Sequence, residues 1–422
     1  MSGKRYELTI TQRTYSKMEL REDGRGALNM SNGFILKGVC DFERLDKAIR
    51  RLYERYDAMR TNVREDEEGA YFEIFEVSPL GLGIVELSAV GRDARFEEAM
   101  ADAQIRVREP LSLSDEGMYR FWAYKIAEDE TLVIYVVNHL VTDGGSMAII
   151  NMELGKLYEN PERTDLPECA DYADFLEEKK RLWSEGLIQE EVNYWKNLMD
   201  GYENPPIEAS KVVEEKSPME YGKFTIDLTK IKKIARKSRM SNFNVVSVIT
   251  QMAYAMVTKQ NDMVMRYVMS NRFTEKFQGT VGFITQAFTA RHTFSMDEKW
   301  SDLAKWQRDT MNRDMKHMQF SDIIEMQELF ISYVVSNGNS TNAVGKFGEL
   351  EMQPLVLHSK CEYGRRMFGL IVVEYTDTIY ITPYCDNKLY RKELVLGFGA
   401  AVNKCVERIF EMENPTVAEI FE

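Results

Sequence analysis

The chain has 422 residues, 44% hydrophobic and 29% charged, a composition of the globular type, and a net charge of −14. That charge repels a phosphate backbone and makes nucleic acid an unexpected partner, and no apolar run approaches the ~20 residues of a membrane-spanning helix. A single hydrophobic core stops growing well below this length, so two domains of about 200 residues each are expected.

The opening residues, Met1 to Leu8, lack the apolar core of a signal peptide, and cytoplasmic residence is the expectation. Five dispersed cysteines, Cys40, Cys169, Cys361, Cys385 and Cys405, form no Cys-x-x-Cys pair and predict reduced thiols without zinc or disulfides. A short strand is predicted over residues 6–10. A helix follows over 42–56, where Leu45, Ile49, Leu52, Tyr53 and Tyr56 recur at helical spacing behind Asp41 as the capping residue. Strands are predicted over 71–76, 119–126 and 131–137, then a helix over 146–158. Two prolines among polar residues at 160–167 suggest a domain boundary near 165, dividing the chain into 1–165 and 166–422. Beyond it come a long helix over 172–199, a strand over 222–227, and helices over 228–238 and 243–259. The helix over 228–238 carries a row of cations opposite Ile231, Ile234 and Ala235, which reads as a solvated face, with docking of an acidic protein as the alternative. Strands over 263–270 and 281–293, a helix over 299–316, a strand over 330–336, a hairpin over 369–384 turning at Asp377 and a helix over 392–412 complete an α/β chain.

The chemistry concentrates in Asn138-His139-Leu140-Val141-Thr142-Asp143-Gly144-Gly145, directly after the apolar run 131–137. His139 sits where a buried strand ends, an acid lies four residues on, and the glycines lead into a helix whose free N–H groups favour negative charge. Such a site can abstract a proton and stabilise an oxyanion. Metal ligation lacks further ligands at suitable spacing, and no phosphate-cradling glycine loop extends from Gly144-Gly145. His292, His317 and His358 read as structural histidines.

His139-x-x-x-Asp143-Gly144 resembles the His-x-x-x-Asp-Gly signature of the chloramphenicol acetyltransferase superfamily. Within it, the similarity is to condensation domains of nonribosomal peptide synthetases and their freestanding acyltransferase relatives. Four further stretches match in the family's order. Leu8-Thr9-Ile10-Thr11-Gln12 resembles its Leu-Thr-x-x-Gln, Arg55 to Thr61 its Arg-His-Glu-x-Leu-Arg-Thr, and Asp171 to Phe175 its Asp-Tyr-Ala-x-Trp. Val281 to Gln286, followed by Arg291, resembles its Ile-Gly-x-Phe-Val-Asn-Thr and later arginine.

The resemblance implies two acetyltransferase-like lobes in a V, with a tunnel between them and His139 at its midpoint. It implies acyl transfer from a phosphopantetheine-linked or coenzyme A thioester to a small amine or alcohol, with no bound cofactor or metal. A carrier protein acting in trans is the implied partner. By the same resemblance His139 meets the acceptor and Gly144 gives room and a backbone N–H to the thioester oxygen. Asp143 turns away to pair with Arg272 in preference to Arg291, while Asn337 and Gly145 face substrate. Asn138 departs from the pattern, since the family usually has a first histidine there. That departure motivates the alternative of a catalytically inactive binding or scaffold protein of the same fold. A plant-type coenzyme A acyltransferase fits less well, because only Lys346-Phe347-Gly348 approaches that branch's Asp-Phe-Gly-Trp-Gly.

Overall fold

The structure, a computed structural model, describes residues 3–20, 25–114, 117–184, 188–203, 224–318, 329–335, 345–355, 357, 368–385, 390 and 392–422. The chain falls into two compact units. One comprises Met1–Gly186, Ser270–Thr285 and Ala343–Cys361, and the other comprises Leu187–Met269, Gln286–Asn342 and Glu362–Glu422. This corrects the expected continuous division near 165. The proline-containing segment is tied into the first unit, where Arg55 donates to the Pro167 carbonyl, Thr280 donates to the Ala170 carbonyl and Asp57 caps the helix that begins at Tyr172.

In the first unit a six-stranded sheet runs in the order Gly345–Phe347, Leu350–Leu355, Asn29–Lys37, Glu130–Asn138, Tyr119–Ala127, Leu82–Val85. Its pairs are antiparallel except for the parallel edge strand Leu82–Val85. The strand Glu130–Asn138 is buried along its whole length, so both of its alternating faces meet protein. Leu132, Ile134 and Val136 pack with Ala99 and Ala103 of the helix Arg92–Arg106. On the opposite face the Tyr135 hydroxyl donates to Asn151 Oδ1 at 3.1 Å, on the helix Gly144–Glu159. A strand held from both sides is a rigid base for the turn at its end. A smaller sheet orders Lys4–Glu7, Gly69–Ile74 and Thr61–Asp66.

The second unit holds another six-stranded sheet in the order Gln286–Thr293, Asp262–Met269, Leu329–Val335, Phe368–Glu374, Ile379–Cys385, Phe224–Ile226. Leu329–Val335 runs parallel to both neighbours. The helices Leu228–Ser238, Asn242–Thr258, Trp300–Asp314 and Lys392–Glu411 contribute residues to one hydrophobic core with this sheet. Among the described residues no helix is long and apolar enough to cross a membrane.

Three expectations change. The chain enters a helix at Ile10, nucleated by a reciprocal capping box between Thr9 and Gln12, so the first strand is Lys4–Glu7. The stretch 172–199 divides into Tyr172–Ser184 and Ile188–Met199, on either side of Gly186 in the sequence. The strand expected over 281–293 begins only at Gln286, because the backbone groups of Gly282, Ile284 and Thr285 bond to Ser146 and Asp143.

Candidate active site

The strand Glu130–Asn138 delivers His139 into a single 3-10 turn, His139–Val141, before Asp143 caps the helix Gly144–Glu159. Backbone bonds fix the turn: the His139 N–H donates to the Leu28 carbonyl at 2.8 Å, and the Asn138 N–H to the Met118 carbonyl at 3.0 Å. The Gln12 amide donates to the Leu140 carbonyl at 2.8 Å and to the Tyr172 hydroxyl. Asp57 in turn accepts the Tyr172 and Ala173 N–H groups, each at 2.8 Å. Stretches that matched the family far apart in the chain thus meet around one loop.

The His139 ring is half-buried, with Nδ1 2.7 Å from the Thr142 carbonyl. A carbonyl only accepts, so Nδ1 carries the proton and the neutral ring keeps its lone pair on Nε2. Burial lowers the His139 pKa, outweighing the opposing pull of the Thr142 contact and Asp143. Tyr15 and Phe283 flank the imidazole, with ring centres at 6.2 and 5.2 Å, and restrict its rotation.

Asp143 is completely buried and faces away from this chemistry. Oδ1 accepts the Ser146 N–H at 2.7 Å and Arg272 Nη2 at 2.9 Å. Oδ2 accepts Arg272 Nη1 at 3.0 Å, the Ile284 N–H at 3.1 Å, and the Thr285 N–H and hydroxyl at 2.8 and 3.0 Å. Burial alone would raise this carboxyl's pKa, but the Arg272 charge and the surrounding donors hold it below its ordinary value. The fork-to-carboxylate geometry is bidentate. Arg291, the other sequence candidate, instead pairs with Asp262 at 2.7 Å within the second unit.

The two glycines separate in role. A Cβ on Gly144 would meet no atom within 4 Å, whereas one on Gly145 would lie 2.6 Å from Arg272 Nη1. Gly145, expected to face substrate, therefore makes room for the guanidinium. Gly145→Ala is expected to destabilise the protein by about 1–3 kcal/mol through overpacking, and Gly144→Ala by clearly less. Paired urea unfolding curves check this, and equal midpoints for the two variants would contradict it.

Ser146 escaped sequence reasoning. Its buried hydroxyl accepts from Arg272 Nη2 at 2.8 Å and from the Gly282 N–H at 3.0 Å, and donates to the Gly282 carbonyl at 2.8 Å. Its position three residues after the helix-capping Asp143 was the available signal. Asn138 is fully buried and its Oδ1 accepts the Leu140 N–H at 3.0 Å, so it braces the turn. Asn337, His358 and Cys361 lie outside the described residues. His292 contacts Glu298 at 3.0 Å, and His317 contacts Glu191 and stacks on Tyr194, as structural histidines do. Lys230 of the cationic helix pairs with Glu407, and Lys237 donates to the Glu413 carbonyl. Among the described residues no group of three His, Cys, Asp or Glu is placed to hold a metal.

A histidine at a strand end, followed by a buried aspartate–arginine pair in a two-unit α/β chain, is the arrangement that the acetyltransferase-like resemblance implied. The sequence matches the Condensation domain family over residues 2–331, and the chain belongs to that family. Bacitracin synthase 3 of Bacillus licheniformis is 24% identical over 329 residues, 76% of this chain and 5% of that protein. Gramicidin S synthase 2 of Brevibacillus brevis is 23% identical over 430 residues, 94% and 9%. The chain thus spans less than a tenth of the length of these relatives. Among solved structures, the X-domain in complex with OxyB from teicoplanin biosynthesis superposes with a TM-score of 0.81 at 15% identity, covering 98% of this chain and 95% of that one. The first condensation domain of the calcium-dependent antibiotic synthetase, in complex with a substrate analogue, gives 0.78 at 15% identity, covering 99% of both chains. At these identities the likeness shows the fold.

Proposed function

We propose that the chain is a condensation-type acyltransferase, moving an acyl group from a phosphopantetheine-linked or coenzyme A thioester to an amine or hydroxyl acceptor. Carrier-bound donors would come from an acyl or peptidyl carrier protein in trans. The observation that carries the reading is the Nδ1 contact of His139 with the Thr142 carbonyl, which leaves Nε2 as a base. Nε2 takes the acceptor's proton as its nitrogen or oxygen attacks the thioester carbonyl carbon. The resulting oxyanion is held by the Gly144 N–H at the helix N-terminus. Collapse breaks the C–S bond, and the thiolate leaves with the proton returned by His139. Holding both substrates in line would supply much of the rate.

The lowered His139 pKa sets a pH signature. A base is active when deprotonated, so turnover should hold its plateau below the ordinary histidine value of about 6.5 and fall only at more acid pH. Initial rates at saturating donor measure this, and a fall centred at or above about 6.5 would contradict it. The reading itself is tested by mass spectrometry of the chain incubated with acyl-carrier and acyl-coenzyme A donors and mixed amines and alcohols. The expected result is an acyl amide or ester that is missing with His139→Gln. Absence of product across the panel, with partner capture independent of His139, would favour the scaffold reading that Asn138 suggests.

A further inference from the structure

Two buried amides next to the His139 turn are each left incomplete, in complementary ways. Asn29 and Asn138 are direct partners across the antiparallel pair Asn29–Lys37 and Glu130–Asn138, so their side chains share a face. Both are at least 97% buried. Asn29 Nδ2 donates to the Val107 and Glu109 carbonyls at 3.3 and 2.6 Å, and its Oδ1 is left without a donor. Asn138 Oδ1 accepts the Leu140 N–H, and its Nδ2 is left without an acceptor. One side chain is short of a donor and its cross-strand neighbour is short of an acceptor. Buried amide atoms rarely stay unpaired, and here the unpaired acceptor and the unpaired donor belong to directly opposed residues.

The position of the pair gives it a task. The peptide groups on either side of the His139 ring are held by Leu28, adjacent to Asn29, and by Asn138 itself. Asn29 in turn ties this corner to Val107 and Glu109, just past the helix Arg92–Arg106. We infer that Asn29 and Asn138 act as one positioning unit that grips His139 from both sides and keeps its Nδ1 on the Thr142 carbonyl. In this chain a pair of amides does the bracing at the position where the family pattern has its first histidine. The inference rests on the reading of His139 as the reactive base, and its test does not use turnover.

The test is a double-mutant cycle on the full chain with Asn29→Ala, Asn138→Ala and both together, read by urea unfolding and by the 15N spectrum of His139, assigned through its loss in His139→Gln. The double variant should fall short of the product of the two single losses by at least about threefold in the folding equilibrium constant. In every variant the wide separation between the Nδ1 and Nε2 resonances, the mark of one neutral tautomer, should narrow as the two tautomers exchange. Serine at both positions, with the same readouts, serves if the alanine variants do not fold. Additive losses, or a His139 spectrum unchanged from wild type, would overturn the unit. Absence of acyl transfer by a wild-type chain with coupled asparagines and a fixed tautomer would sink only the proposed activity.

Discussion

Replacing His139 with alanine or glutamine is expected to lower acyl-transfer turnover by roughly 100- to 10,000-fold, the usual worth of a general base, without unfolding the protein. The ring is half-buried, its side-chain hydrogen bond is to the Thr142 carbonyl, and its neighbours Tyr15 and Phe283 also contact each other at 5.8 Å between ring centres. Loss of the imidazole therefore removes chemistry more than packing. The turn keeps its backbone bonds to Leu28 and its tie from Gln12 to the Leu140 carbonyl. Circular dichroism and the unfolding midpoint establish that the variant is folded, and single-turnover rates with a saturating acyl-pantetheine donor measure the loss. A folded variant with wild-type turnover would remove His139 from the mechanism and leave orientation as the source of rate.

Arg272→Ala should be the most damaging single change to stability near the site, at about 3–5 kcal/mol. Asp143 would remain buried with its charge and lose the guanidinium, while the donors of Ser146, Ile284 and Thr285 stay in place. Against the 5–15 kcal/mol of a typical domain that is a large fraction. The pH dependence identifies the cause. A carboxyl whose folded pKa is depressed contributes stability that is present above its unfolded value, about 3.9, and lost as pH falls through the folded value. Removing Arg272 abolishes that contribution, so the gap between wild type and variant should narrow below about pH 4 as Asp143 is neutralised in both. Asp143→Asn in the Arg272→Ala background should recover part of the loss at neutral pH. Urea unfolding across pH measures both effects, and a gap independent of pH would assign the damage to packing.

Much of the site was legible because its chemistry is local. A fully buried strand needs a continuous apolar run, and 131–137 provides one; a helix start needs a capping acid and a residue with free N–H groups, and Asp143-Gly144 provides them. Periodicity likewise located the helices Phe42–Arg55 and Asn242–Thr258 to within two residues. It failed at 10–19, where a polar helix held by its Thr9–Gln12 cap carries little apolar pattern, and at 281–285, where an apolar run bonds to side chains in place of a ladder.

From the residues alone followed an α/β chain of two units, a histidine poised at the end of a buried strand and, by resemblance, its family. The tertiary structure decided which arginine meets Asp143, that Gly145 yields its side-chain space to that arginine, and that Ser146, Gln12 and Tyr172 brace the loop. It also decided that 270–285 belongs with the first unit while the strands flanking it belong to the second. The division follows from range. Capping and hydrophobic period are set by neighbours within a few residues, whereas an ion pair such as Asp143–Arg272 joins groups 129 residues apart and is fixed only when both are buried together.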